Sequence, residues 1–434
     1  MAGVTGAGGA GFPTYKKVSA KVNTVIANGA ECEPLLNKDK ALMENFPSAV
    51  IRGMQQVMEH CGAAKGIVAI KGKNKKSIAV VAKILPKNIS IFEMEDVYPA
   101  GDEYEVVFHA TGKRIPAGGL PLEVGVIVQN IETLYNIDRA VKNKPVTHSL
   151  LTVHGHVGHP LTAFVPIGTS YGELLAAAGG TALEDFILID GGAMMGTAVT
   201  DLNTPVKASS AGFIVMPRDS HLAQKKLTSE RSYKKVGKSA CDQCSLCTEM
   251  CPRYLLGYPI KPHLVMRSLL TTGTLSKSLT PWAQACCECN VCSLWACPEG
   301  LDPRNICVDT KRDLKQADLW LSQEKLQSLT TDVHPLKDYR GVPTKRLAVR
   351  LGLDKFMHID APFMDVKITP GRVRIPLHAH IGSPARPSVK IGDAVQTGQQ
   401  IADPASNNLS IAAHASIDGT VISLDEHFIV IEKS

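Results

Sequence analysis

No stretch of eighteen apolar residues occurs in this 434-residue chain, so no helix of it is expected to cross a bilayer. The first residues show no charged segment leading into an apolar core, which is the pattern of a secretory leader. A reducing, cytoplasmic setting is therefore expected, where thiols stay free or bind metal instead of pairing as disulfides. Charge of one sign is also lacking: the net charge is only +6. Lysine clusters at 71–76 and 224–235 read as solvated loop and helix faces, not as a nucleic-acid stripe. An acidic partner protein or a phosphate ligand remains compatible with them. Aromatic residues are scarce at 5%, while the hydrophobic share of 44% is ordinary. The length calls for more than two domains.

Cysteine is what the chain has. Nine of its twelve cysteines fall in two runs, CDQCSLCTEMCP and CCECNVCSLWACP, and eight of the nine keep cluster spacing. The first is C-x2-C-x2-C-x3-C-P, from Cys241, Cys244, Cys247 and Cys251 with Pro252. Three cysteines at this spacing curl a loop around one corner of an iron–sulfur cube, and the fourth serves the other cluster of a pair. The second run, Cys286, Cys289, Cys292 and Cys297 with Pro298, has four residues before its last cysteine where three are usual. Two [4Fe–4S] clusters are expected: one on Cys241, Cys244, Cys247 and Cys297, the other on Cys286, Cys289, Cys292 and Cys251. Zinc competes for C-x2-C units, but it needs two pairs and not two triplets each followed by C-P. Cys287 could substitute for Cys286, although Cys286 keeps the regular spacing. Cys307 reads as a helix-face thiol near a cluster, and Cys32 and Cys61 as ordinary thiols.

The N-terminal third carries a Gly-rich loop, GAGGAGFPTYKK at 6–17, followed by ANGAECEP at 27–34. Such a loop lets backbone N–H groups approach a phosphate or a flat ring. Further on stand GDE at 101–103 and NIETL at 130–134. In this order the four segments resemble the flavin-binding subunit of respiratory complex I and, more closely, the RnfC family. The resemblance implies an α/β domain binding FMN. It places Gly6, Gly8 and Lys17 in the FMN loop, Asn28 and Glu103 at the isoalloxazine or ribityl region, and Asn130 at the phosphate end. Glu33 falls where the family meets the nicotinamide nucleotide, with NADH the implied donor. Two departures matter. Ala30 stands where complex I has an aspartate, and Ala20 and Ile115 stand where complex I has aromatics that cradle adenine; only Phe12 survives. FMN is thus better supported than direct NADH binding. The abrupt start before the Gly-rich loop suggests a chain shortened at its N-terminus.

The remaining segments complete a multidomain α/β plus β protein. Helix-spaced apolar residues at 47–62 and a strand-like run at 65–72 support the α/β reading of residues 1–145. Residues 146–220 alternate strand-like runs with Gly/Pro turns and resemble a β-grasp SLBB module. Its His154, His156 and His159 read as polar, outward hairpin residues and not as a metal site. Residues 217–240 read as a basic linker with helical stretches, and 238–325 as a helical, ferredoxin-like dicluster domain with helices at 261–270 and 308–327. A Pro-containing connector over 330–365 leads to 366–434. That last segment resembles a biotinyl/lipoyl-type sandwich barrel, but its tip, SNNLS, has no lysine to carry a cofactor. RnfC proteins have this module first. Its place at the end resembles the cobalamin reductases of propanediol utilisation, a branch of the RnfC and complex I flavin-subunit superfamily. That likeness implies an oxidoreductase passing electrons from NADH through FMN and two clusters to a corrinoid. An adenosyltransferase and a microcompartment shell protein are the implied partners, inside a bacterial microcompartment. Two other readings stand beside it: an RnfC-like relay subunit of a ferredoxin:NAD complex, and a scaffold built on the SLBB and barrel parts.

Overall fold

A computed structural model describes residues 2–7, 9, 11–406 and 408–434. Gly8 of the expected FMN loop lies outside the described residues.

Short Val- and Ile-rich runs build the first sheet: β1 (Thr24–Gly29), β2 (Lys65–Lys71), β3 (Ile89–Met94) and, after the two-residue β4 (Val97–Tyr98), β5 (Val126–Asn130). The order is β3-β2-β1-β5, all parallel. Parallel strands need both faces covered, and the burial follows that rule. Following α1 (Thr14–Val18), the helices α2 (Lys38–Asn45), α3 (Pro47–Cys61), α4 (Lys75–Ala82) and α6 (Ile131–Val141) pack on one face with Val25, Val68 and Ile127. The other face, with Ile26, Ile67 and Val128, is covered by α5 (Glu103–Thr111) and by Leu256, Tyr258 and Leu326 of the helical domain.

Helix α3 starts with Pro47 at its first position and stops at Gly62, whose φ of 71° suits a residue without Cβ. Its middle is fixed by Gly53: a Cβ there would lie 1.9 Å from the Leu134 carbonyl oxygen of α6. Gly53→Ala is expected to force the two helices apart and cost about 1–3 kcal/mol, as overpacked core sites do. A lowered thermal midpoint with unchanged cysteine-domain iron would show it.

The second sheet, β6 (His148–Gly155), β7 (Leu161–Pro166), β8 (Phe186–Asp190), β9 (Thr197–Val199) and β10 (Gly212–Pro217), has the order β7-β6-β10-β8-β9. Only β6 and β10 run parallel. One helix, α7 (Tyr171–Ala177), opens with a Ser170–Glu173 capping box. The outward reading of the histidines fails at His154, which is 1% exposed. Strand β6 is central and the connector covers it: His154 Nδ1 accepts from the Gly155 N–H, so Nε2 donates to the Ile359 carbonyl at 2.9 Å. His156 is half-buried against Phe356 and His159 is exposed.

Helices at His221–Leu227 and Glu230–Ala240 lead into the cysteine loops, and helices Pro262–Ser268 and Pro303–Gln316 pack against each other behind them. The helix expected over 308–327 is two, 303–316 and 323–328, separated where Asp318 turns left-handed at φ 54°. The connector is also more ordered than its sequence suggests. Its β11 (Val342–Pro343) pairs antiparallel with β4, and a helix follows at Thr344–Arg350.

The C-terminal segment is a sandwich of two sheets around one core, including Val373, Ile401, Val421 and Ile429. Among the described residues it does not close into a barrel. The four-stranded sheet joins residues 372–376, 428–433, 419–424 and 394–395, and the three-stranded one joins 386–387, 400–403 and 413–414. The N-terminal loop is seated on this sandwich. The Ile381 N–H donates to the Gly11 carbonyl, and Gly11 at φ 69° leaves no room for a Cβ, which would stand 2.9 Å from the Ala379 oxygen.

Candidate functional site

The chain leaves β1 toward β2 on one side and returns as β5 on the other. That reversal opens a crevice beyond the carboxyl ends of β1 and β5, the usual ligand position in an open α/β sheet. Asn28 and Asn130 are directly paired across it. Asn28 donates through Nδ2 to the Gly101 carbonyl (3.0 Å) and accepts at Oδ1 from the Ala30 N–H. Asn130 caps α6, accepting from the Glu132 N–H, and donates to Asp39 Oδ2.

The Gly-rich loop closes on itself at one end of this crevice. The Gly6 N–H donates to the Phe12 carbonyl and the Thr14 N–H to the Val4 carbonyl, while the Ala7 N–H reaches Thr133 Oγ1 in the first turn of α6. Lys17 Nζ lies 3.1 Å from Glu103 Oε1, both side chains being part-exposed. Such a pair contributes only about 0–1 kcal/mol, so either partner is free to turn to a ligand. Among the described residues the buried hydroxyls of Thr5 and Thr14 have no hydrogen-bond partner. A part-exposed cation and two buried hydroxyls fit a phosphate-bearing cofactor such as FMN.

The two glutamates after β1 are held differently. Glu31 accepts from the Asp39 and Lys40 N–H groups; burial, and then Asp39, push its carboxyl up to about 8. Glu33 accepts from the Met194 and Met195 N–H groups at 2.7 and 2.8 Å, in the turn after β8, and burial raises its carboxyl too. Both line a polar cavity of about 270 Å³ with Lys40, Lys73 and Asp96. Glu33 therefore ties the first sheet domain to the second.

The two cysteine runs fold into loops of one shape. Gln243 and Ser245 in the first, and Glu288 and Asn290 in the second, take positive φ at matching positions, between 61° and 67°. Left-handed conformations at non-glycine residues cost energy and mark functional loops. Here they curl each triplet inward. Burial and the neighbouring thiols of Cys241, Cys297 and Cys244 push Cys247 up to about 12. Cys292 is raised by burial and by Cys286, Cys251 and Cys247. Cys241, Cys244 and Cys297 therefore lie near Cys247, and Cys286 and Cys251 near Cys292. The extra residue before Cys297 is absorbed by a wide π-turn at Cys292–Ala296, where the first run has an ordinary α-turn at Leu246–Glu249. N–H groups reach the sulfurs of Cys286 from Glu288 and of Cys297 from Leu301. Among the described residues no three His, Cys, Asp or Glu converge closely enough for a single metal ion. Cys287 sits against Cys289, and Cys307 against Cys286.

Four contacts have no counterpart in the sequence patterns. The Tyr98 hydroxyl donates to the Cys289 carbonyl at 2.7 Å. Arg253 pairs with Asp102 at 2.9 Å and stacks over Tyr104, 3.5 Å from the ring centre. The Gly101 N–H donates to the Cys32 sulfur, and Lys311 bonds both the Cys286 carbonyl and Glu288. A charged residue just after C-P, in an apolar stretch, is the one local signal.

Residues 1–139 match the Nuo51 FMN-binding domain, 240–302 the 4Fe-4S dicluster domain, and 354–434 the RnfC barrel sandwich hybrid domain. A chain that joins these three to the crevice and loops above is an iron–sulfur flavoprotein oxidoreductase. It is 41% identical to the cobalamin reductase PduS of Citrobacter freundii, over 99% of this chain and 94% of that protein. With the cobalamin reductase PduS of Salmonella typhimurium the identity is 40%, over 100% of this chain and 95% of that one. The chain belongs to the PduS family of cobalamin reductases. A component of the proton-translocating ferredoxin:NAD(+) oxidoreductase complex of Clostridium ljungdahlii is 31% identical, over 58% of this chain and 54% of that one.

Proposed function

We propose that this protein takes electrons from NADH at a bound FMN and delivers them singly, by way of two [4Fe–4S] clusters, to the cobalt of a corrinoid. The observation that carries the reading is the near full-length likeness to the cobalamin reductases, joined to a crevice and two cysteine loops whose residues fit both groups. When bound, FMN accepts an electron pair and releases it one electron at a time, and the clusters carry single electrons. The chain's own residues bind and orient. Lys17 offsets the cofactor's negative charge, and Gly6 lets the loop backbone approach it. Asn28 and Glu103 hold the ring or ribityl region, and Asn130 the phosphate end. Glu33 borders the nicotinamide side. Cys241, Cys244, Cys247 and Cys297 ligate one cluster, and Cys286, Cys289, Cys292 and Cys251 the other.

The domain limits that go with this reading are 1–145, 146–220, 238–325 and 366–434. The five-stranded mixed sheet with its single helix supports an SLBB-type β-grasp module in the second. A corrinoid acceptor fits work beside an adenosyltransferase in a microcompartment. An RnfC-like relay is the weaker alternative, because that likeness covers little more than half of each chain. Among the described residues no helix is long and apolar enough to cross a membrane.

The test is anaerobic reconstitution with iron, sulfide and FMN, followed by NADH and then hydroxocobalamin, monitored by absorbance and electron paramagnetic resonance. Flavin bleaching by NADH, followed by cob(II)alamin formation, is the expected result. Bleaching by a reduced ferredoxin but not by NADH would favour the relay.

A further inference from the structure

We infer that the two cysteine sets are not equivalent: Cys286, Cys289, Cys292 and Cys251 face the flavin crevice, and Cys241, Cys244, Cys247 and Cys297 face the solvent and the electron acceptor. This rests on the flavin and cluster reading above and adds an order to it.

The order comes from a strap of six residues, 98–103. One side of the strap belongs to the crevice. The Gly101 carbonyl accepts from Asn28, the Gly101 N–H donates to Cys32, and Glu103 pairs with Lys17. The other side is bonded to the second cysteine set. The Tyr98 hydroxyl, on a side chain 2% exposed, donates to the Cys289 carbonyl, and Asp102 holds Arg253, two residues beyond Cys251. These bonds run from the crevice to the second set by a path of adjacent residues. None of these bonds reaches a cysteine of the first set.

Exposure has the same direction. In the second set Cys251, Cys289 and Cys292 are buried and Cys286 is half-buried. In the first, Cys244 is exposed, its neighbour Asp242 is exposed, and Leu246 is 40% exposed. A buried set bonded to the flavin strap suits receipt of electrons. A set open on one side suits their delivery to a large acceptor that stays outside the fold. In this role Tyr98 is a positioning residue, since it acts through the Cys289 backbone.

The order is tested on full-length protein loaded with FMN and iron. The flavin is reduced by light and EDTA, so that the identity of the natural donor does not enter. Rapid-freeze electron paramagnetic resonance then follows the filling of the clusters. In Cys244→Ser the remaining cluster should fill as fast as in the unaltered protein, while electrons reach hydroxocobalamin far more slowly. In Cys289→Ser the flavin should be reduced normally, but the remaining cluster should fill at least about 100-fold more slowly, the scale that misplaced reacting groups command. The opposite pattern would overturn the order. Should a serine variant shed all of its iron, Tyr98→Phe decides. Iron and FMN content stay the same and filling slows if Tyr98 positions the receiving set; unchanged filling would count against the proposal. Absence of FMN or iron from the unaltered protein would instead sink the functional reading itself.

Discussion

Cys297→Ser is expected to remove about half of the iron, one cluster of two, and to leave FMN bound. The substitution isolates the one irregular spacing in the cysteine runs. Four residues separate Cys292 from Cys297, against three between Cys247 and Cys251. With an ordinary α-turn the last cysteine would be rotated away from the first set by about 100°, one residue's share of a turn. The π-turn at Cys292–Ala296 takes up that residue, and Cys297 arrives 7% exposed beside Cys247. Full iron in the serine variant would mean that another group completes the first set. The remaining thiols are badly placed for that, since Cys287 faces Cys289 and Cys307 faces Cys286. Deleting one residue of the π-turn while keeping Cys297 is the companion test, and it should lose the same cluster.

Arg253→Met should weaken the junction between the flavin domain and the cysteine domain by about 3–5 kcal/mol, the cost of removing one partner of a buried ion pair. Both side chains of the Arg253–Asp102 pair are only 12% exposed. The guanidinium also stacks on Tyr104, which a methionine replaces only in part. What remains is the Asp102 carboxylate, still capping α5 through the Tyr104 and Glu105 N–H groups but without its counter-charge. Release of FMN fluorescence on urea titration should come at lower denaturant in the variant. Asp102→Asn combined with Arg253→Met should recover part of the loss, because the unpaired charge is gone; strict additivity of the two changes would show that the pair is not coupled.

What can be read from the sequence divides by range. The cysteine spacing, the Val- and Ile-rich strands and helix α3 between Pro47 and Gly62 are local patterns, and each names its own geometry. The β1–β5 crevice is legible only through motif order, since no spacing shows that β5 lies beside β1. Contacts between distant segments leave no mark. Tyr98 looks like a core aromatic until it meets Cys289, and the two-residue strands β4 and β11 are too short for any periodicity. His154 departs from the outward pattern for a related reason: a central strand under a covering segment does not alternate. Glu33 carries a family role in the sequence, whereas in the fold its carboxylate binds two N–H groups of the next domain.

The seat of the N-terminal loop on the C-terminal sandwich has a consequence in time. Gly11 leans on Ala379, and Gly3 on Ala412. A ribosome adds roughly 5–20 residues per second, so about 400 residues separate the two by on the order of a minute. The flavin loop is thus made well ahead of the segment that supports it. The loop therefore gains its seat on the sandwich only after the cysteine loops between them have been synthesised.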